Sequence, residues 1–146
     1  KITGAGWTTS PLFIPAQKEA ALGFTGILNY VPSIETKENI EFQRAYKDKF
    51  GRIASEFAVQ GYDTGRMIVE ALQSLSGETT NKELLAEELS KVSIIGPRGP
   101  LTIDPKTNNV IQNMYIFKVV NSANGPILKI LDKIEAVKDP GTGCSL

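Results

Sequence analysis

The sequence contains no histidine and one cysteine. Without histidine there can be no Ser-His-Asp or Cys-His constellation and almost no histidine-based metal site. A lone cysteine, Cys144, cannot form an internal disulfide; in a glycine-bearing tail with no neighbouring base it is a poor nucleophile. Charge of one sign is also missing. The 16 basic residues balance the 16 acidic ones, so no broad field draws nucleic acid or an acidic membrane. No apolar run approaches the roughly 20 residues needed to span a bilayer.

What remains is the composition of a soluble globular domain, 41% hydrophobic and 22% charged over 146 residues, enough to bury a core. The chain opens on Lys1 without a methionine and runs directly into a glycine turn, which reads as a fragment or a mature C-terminal piece.

Lys1 to Thr3 reads as a strand end closed by Gly4-Ala5-Gly6. The two glycines permit a sharp bend and leave room for something to approach. Ser10-Pro11 suits a helix start, and Leu12 to Ile14 a short apolar turn interrupted by Pro15. Gly23 to Val31 reads as a strand covered on both faces, because its apolar content is nearly continuous. Helical spacing follows from Glu35 to Phe50, with Phe42, Ala45, Tyr46, Lys49 and Phe50 on one stripe and Gly51 as cap.

A long helix over Glu56 to Leu72 is the centre of the chain, with Ile68, Ala71, Leu72 and Leu75 as its expected buried stripe and Gly77 as its end. Thr80 to Glu83 matches a capping box for a further helix that buries Leu85, Leu89 and Val92. Residues 94–100 read as a rigid Gly-Pro connection. Leu101 to Asp104 alternates like a strand, Met114 to Val120 is the strongest strand signal, and Ile127 to Leu131 is a last one before a loose tail from Lys138.

Chemistry is sparse. The Gly-Pro run lacks the Lys-Ser/Thr signature of a phosphate loop, and Glu87-Glu88 reads as solvated helix surface. Two features suit a small-molecule site, which is mostly apolar with a few placed polar groups. Trp7 stands beside the glycine bend with the Thr8 and Thr9 hydroxyls, and Phe57 stands at the entrance of the long helix. Both rings have an alternative reading as core plugs. The chain therefore reads as a binding protein rather than an enzyme, with no cofactor and no metal.

The order of these pieces resembles one family. It is carried by Gly6-Trp7 with Ser10-Pro11, Gly23 to Tyr30, the Phe42-to-Phe50 helix and Gly61-Tyr62-Asp63. Gly96-Pro97-Arg98-Gly99-Pro100-Leu101-Thr102-Ile103-Asp104 and Gln112 to Ile116 complete the pattern. The chain resembles the C-terminal part of the periplasmic solute-binding proteins of branched-chain amino acid ABC transporters. The resemblance implies an α/β fold, a partial type I periplasmic binding protein with parts of two three-layer lobes joined by crossover strands. Residues 1–31 would belong to the second lobe, 32–115 to the first, and 116–146 to the second lobe and tail.

It also implies a ligand site at Ala5, Gly6, Trp7, Thr8 and Phe57. Ala5 stands where amino-acid-binding members carry the acid that pairs with the ligand's ammonium, and alanine cannot form that pair. Phe57 matches the aromatic that touches the ligand side chain. The contacts that grip the carboxylate would lie N-terminal to this chain. The implied setting is periplasmic or extracellular, membrane-associated in Gram-positive cells, with a small-molecule ligand, a membrane permease as partner and no nucleic acid. A sensor or receptor domain of the same fold is the alternative. A piece cut from two lobes would expose sheet edges and favour a dimer.

Overall fold

The computed structural model describes residues 2–141; Cys144 and the end of the tail lie outside the described residues. The elements in chain order begin with β1 (Thr3–Ala5), α1 (Ile14–Gln17), β2 (Thr25–Leu28), α2 (Lys37–Phe50), α3 (Glu56–Ser74) and α4 (Lys82–Lys91). They end with β3 (Ser93–Gly96), β4 (Gly99–Ile103), β5 (Val110–Ser122) and β6 (Gly125–Val137). The mixed α/β class expected from the sequence is the class observed.

β5 is the spine. Its side chains alternate inward as Asn113, Tyr115, Phe117 and Val119, the period of two that a pleated strand requires. β6 pairs antiparallel along most of its length on one edge. The other edge is shared end to end: β2 pairs with Tyr115 to Lys118, and β4 with Val110 to Gln112. β1 lies parallel to β2 beyond that edge, and β3 pairs antiparallel with β4.

Two apolar clusters follow this division. One gathers Leu28, Tyr30, Val31, Phe42, Ala54, Val59, Phe117 and Val119 under the β1–β2 end of the sheet. The other packs Met67, Ala71, Val92, Ile94 and Leu101 between α3, α4 and the β3–β4 pair.

Local signals explain much of this. Thr36 caps α2 by accepting from the Asn39 N–H at 3.3 Å, and Gly51 ends it in the left-handed region at φ 70°. Several expectations need correction. The cap of α4 is Asn81, one residue later than the capping box, accepting from the Leu84 N–H at 3.0 Å. Pro15 does not interrupt a turn; it sits in the first turn of α1, where its missing N–H is harmless.

β2 is shorter than expected and covered on one face only, with Ile27 38% exposed. The Gly-Pro run is not a connection but a two-residue β-hairpin turn: Gly96 faces Gly99 across Pro97-Arg98, with Gly99 at φ 99°. β6 extends well past Leu131 as β5's outer partner.

The largest correction concerns α3. Its buried face is Glu56, Val59, Asp63, Met67 and Ala71, while Ile68 is 42% exposed. The spacing is helical as expected, but the stripe is rotated and carries two acids inward.

Candidate functional site

β1 stops at Ala5 and the chain tightens into a single 3₁₀ turn over Gly6–Thr9 at the end of β2. Only glycine fits at position 6. A Cβ there would stand 2.3 Å from Leu28 Cγ and 2.5 Å from the Ile27 carbonyl oxygen. The turn is fastened by its own threonines: the Thr8 hydroxyl donates to the Ala5 carbonyl and the Thr9 hydroxyl to the Gly6 carbonyl. Gln17 of α1 adds a bond from Nε2 to the Thr8 carbonyl at 2.7 Å.

With its neighbours fixed, the Trp7 indole projects outward and is 42% exposed. It meets Phe57, 52% exposed on the first turn of α3, with ring centroids 5.3 Å apart and planes tilted by 34°. That is the offset, tilted arrangement aromatic quadrupoles favour. The two rings named from the sequence are therefore in contact. Ala5 and Thr8 adjoin them at the exposed surface, and Gly6 lies buried beneath. Ala5 presents only a methyl group, so the turn carries no charge. On its far side, Thr8 and Thr9 border a groove of about 530 Å³ lined also by Ile2, Gln17, Phe24 and Lys118.

The inward face of α3 adds groups that the sequence did not single out. Glu56, its first residue, is 0% exposed, and neither carboxylate oxygen has a hydrogen-bond partner. Ser55 precedes it and its side chain caps none of the first-turn N–H groups.

Asp63 lies well inside α3. It accepts from Arg98 Nε at 2.7 Å, both side chains being buried. Burial pushes the Asp63 carboxyl above its ordinary value, opposed by the Arg98 hydrogen bond and charge. Arg98 Nη1 also donates to Gln112 Oε1 at 2.7 Å, which accepts from Asn29 Nδ2 at 3.1 Å. The Arg98 carbonyl accepts from the Tyr115 hydroxyl at 2.9 Å. This chain of bonds joins α3, the β3–β4 turn, β5 and the end of β2.

Tyr30, just past β2, donates to Asn39 Oδ1 at 2.8 Å and accepts from Gln43. Burial raises its phenol well above the usual tyrosine value. Glu56 and Asp63 stand seven residues apart, two helical turns, with Val59 between them on the same face of α3, and that spacing was the available signal. The apolar Ile68 and Leu72 beside it masked that pattern.

Such a site has no nucleophile–base pair. It offers two half-exposed rings and a charge-free turn at the carboxyl ends of β1 and β2. Crevices at strand carboxyl ends are where open α/β sheets hold ligands.

Comparison with known proteins agrees with the architecture. The chain is 28% identical over 131 residues to the Leu/Ile/Val-binding protein homolog 6 of Brucella abortus, covering 88% of this chain and 33% of that protein. A solved solute-binding protein of an ABC transporter from Rhodopseudomonas palustris BisB5, in complex with 3,4-dihydroxybenzoic acid, superposes with a TM-score of 0.90. It is 33% identical, over 96% of this chain and 38% of that one. A second R. palustris solute-binding protein, in complex with benzoate, gives a TM-score of 0.88 at 26% identity, over 99% of this chain and 39% of that one. The chain thus spans well under half the length of the relatives it matches. Residues 1–125 match the family model of the periplasmic binding proteins, and the chain belongs to that family.

Proposed function

We propose that this chain forms one part of the ligand cleft in an extracytoplasmic solute-binding protein that delivers its ligand to an ABC permease. The ligand we propose is a small aromatic or aliphatic carboxylate rather than an ordinary α-amino acid. The observation that carries this is the Trp7–Phe57 contact beside Ala5. Two exposed rings offer a flat apolar surface, and the alanine offers nothing to an ammonium group. Similar solute-binding proteins solved in complex with benzoate and 3,4-dihydroxybenzoic acid support that ligand class.

In this reading residues 1–31 and 116–146 serve the second lobe and residues 32–115 the first, with β5 running between them. A ligand touching both lobes favours the closed form through its differential contacts. The protein acts outside the cytoplasmic membrane, and the ligand leaves unchanged; among the described residues no group is set up for turnover. Cut to these residues alone, the open edges of β1 and β3 would favour self-association.

Calorimetry on the full-length protein tests this, with benzoate, 4-hydroxybenzoate, leucine and valine as titrants. Binding of an aromatic acid, recovered unchanged afterwards by mass spectrometry, is expected. Tight leucine or valine binding with none of the aromatic acids overturns it.

A further inference from the structure

We infer that Gln17 is a positioning residue for ligand binding, its side-chain amide holding the turn that presents Trp7 to the cleft. The inference rests on the cleft reading above and adds a residue that works without touching the ligand.

The Gly6–Thr9 turn is shaped mostly from within. The Thr8 and Thr9 hydroxyls donate to the Ala5 and Gly6 carbonyls, and the Ser10 N–H donates to the Trp7 carbonyl at 3.3 Å. Bonds over three residues set the curvature of a turn but not its place on the molecule. Two anchors set that place, one on each side of Trp7. Before it, the parallel ladder holds Ala5 against Ile27. After it, Gln17 Nε2 donates to the Thr8 carbonyl at 2.7 Å, from nine residues along the chain. Among the described residues, no other side chain from outside residues 5–10 bonds to this turn.

The second anchor is held at a cost. A carbonyl only accepts, so the amide nitrogen must face Thr8 and the amide oxygen is turned away. That oxygen, Gln17 Oε1, is buried and has no hydrogen-bond partner. The next residue, Lys18, ends α1 at φ 49° and ψ −131°, outside the small left-handed region that a side chain tolerates. Unpaired buried oxygens and strained non-glycine residues are both rare, and each persists only where the surrounding structure enforces it. Here both fall on the two residues that fasten Thr8, so the bond is kept for what it positions. With the nitrogen committed to Thr8 and the oxygen out of reach, Gln17 acts on a ligand through the turn.

Calorimetry on the full-length protein, with benzoate and 4-hydroxybenzoate, tests this in Gln17→Met and Gln17→Lys. Methionine keeps the length of the side chain, cannot donate, and also removes the unpaired oxygen, so the urea midpoint should stay near the parent's. Affinity for an acid that the parent binds should fall about fivefold, the equivalent of one lost neutral hydrogen bond. Gln17→Lys, which restores a donor, should recover most of that loss. In Trp7→Ala, where no ring remains to be placed, adding Gln17→Met should change affinity about twofold at most. The Trp7 emission of the unliganded protein, taken as the difference from Trp7→Phe, should lose anisotropy in Gln17→Met. Parent-like affinity in Gln17→Met overturns the inference, as does the same loss in the Trp7→Ala background or a Gln17→Lys no better than Gln17→Met. A marked fall in the urea midpoint of Gln17→Met makes the role structural and overturns it too. Binding of neither acid by the parent overturns the cleft reading, and the positioning role with it.

Discussion

Arg98, at the tip of the β3–β4 hairpin, donates from Nε to Asp63 Oδ2 at 2.7 Å on the core face of α3, and both side chains are withdrawn from water. The pair decides how the hairpin meets the helix. Gly96 lies so close that a Cβ there would stand 2.3 Å from Asp63 Oδ1. Removing one partner leaves the other charge buried, which costs far more than the pair contributes as a unit.

Arg98→Ala is therefore expected to destabilise the protein by about 3–5 kcal/mol in urea unfolding. The double replacement Asp63→Leu with Arg98→Met should recover a large part of that loss, because no unpaired charge remains. Equal destabilisation in the single and double variants would refute the account.

Gly6→Ala should fail locally. The added methyl meets Leu28 Cγ and the backbone oxygen of Ile27, and a backbone atom cannot move aside as a side-chain end can. A cost of about 1–3 kcal/mol is expected, with weaker ligand binding as Trp7 is displaced. Thr8→Ala, which loses one hydroxyl bond at an exposed position, should cost well under half as much.

The alkaline limit of stability should carry a signature of Tyr30. Its folded phenol titrates above the ordinary value of 10.0 because burial disfavours the phenolate. Below that value both states keep the proton and nothing changes. Above it the unfolded chain releases the proton while the folded one retains it, so stability falls as pH rises. Unfolding free energies measured from pH 9 to 11 should decline less steeply in Tyr30→Phe than in the parent protein.

Trp7 is the sole tryptophan of these 146 residues, so the difference in intrinsic fluorescence between the full-length protein and its Trp7→Phe variant reads the site. An aromatic acid binding in the full-length protein should change the emission. Phe57→Ala should red-shift the unliganded spectrum by opening the indole to water, and weaken binding about tenfold from the loss of one aromatic contact. Unchanged emission on saturation would remove Trp7 from the site.

Sequence reasoning went furthest where a local rule decides the outcome. Gly51 stops α2, the alternating apolar run makes β5, and the bend at Gly4 to Gly6 sits where strand gives way to turn. It failed where a tertiary partner overrides the local signal. Nothing near Asp63 in the chain announces Arg98, and an inward-facing acid contradicts the rule that apolar residues mark the buried stripe. Pro97 and Pro100 suggested a connection, yet one occupies the turn and the other an exposed position on β4, where both are tolerated. Trp7 and Phe57 were each legible as single rings; their contact depends on how the Gly6–Thr9 turn lies over the end of β2, which only the glycine at position 6 permits.

The single strand β5 serves both apolar clusters, and its pairing with β6 slips register between Gln112 and Met114 and again between Ile116 and Phe117. A doubled ribbon resists bending in its own plane and yields most readily where its ladder is already interrupted. Motion of the two ends of the sheet against each other should therefore concentrate at those two slips, as a shallow flexing of a continuous ribbon rather than the swing of a loose linker. The Asn29–Gln112 bond lies at the first of them, where it would act as a brake on that flexing.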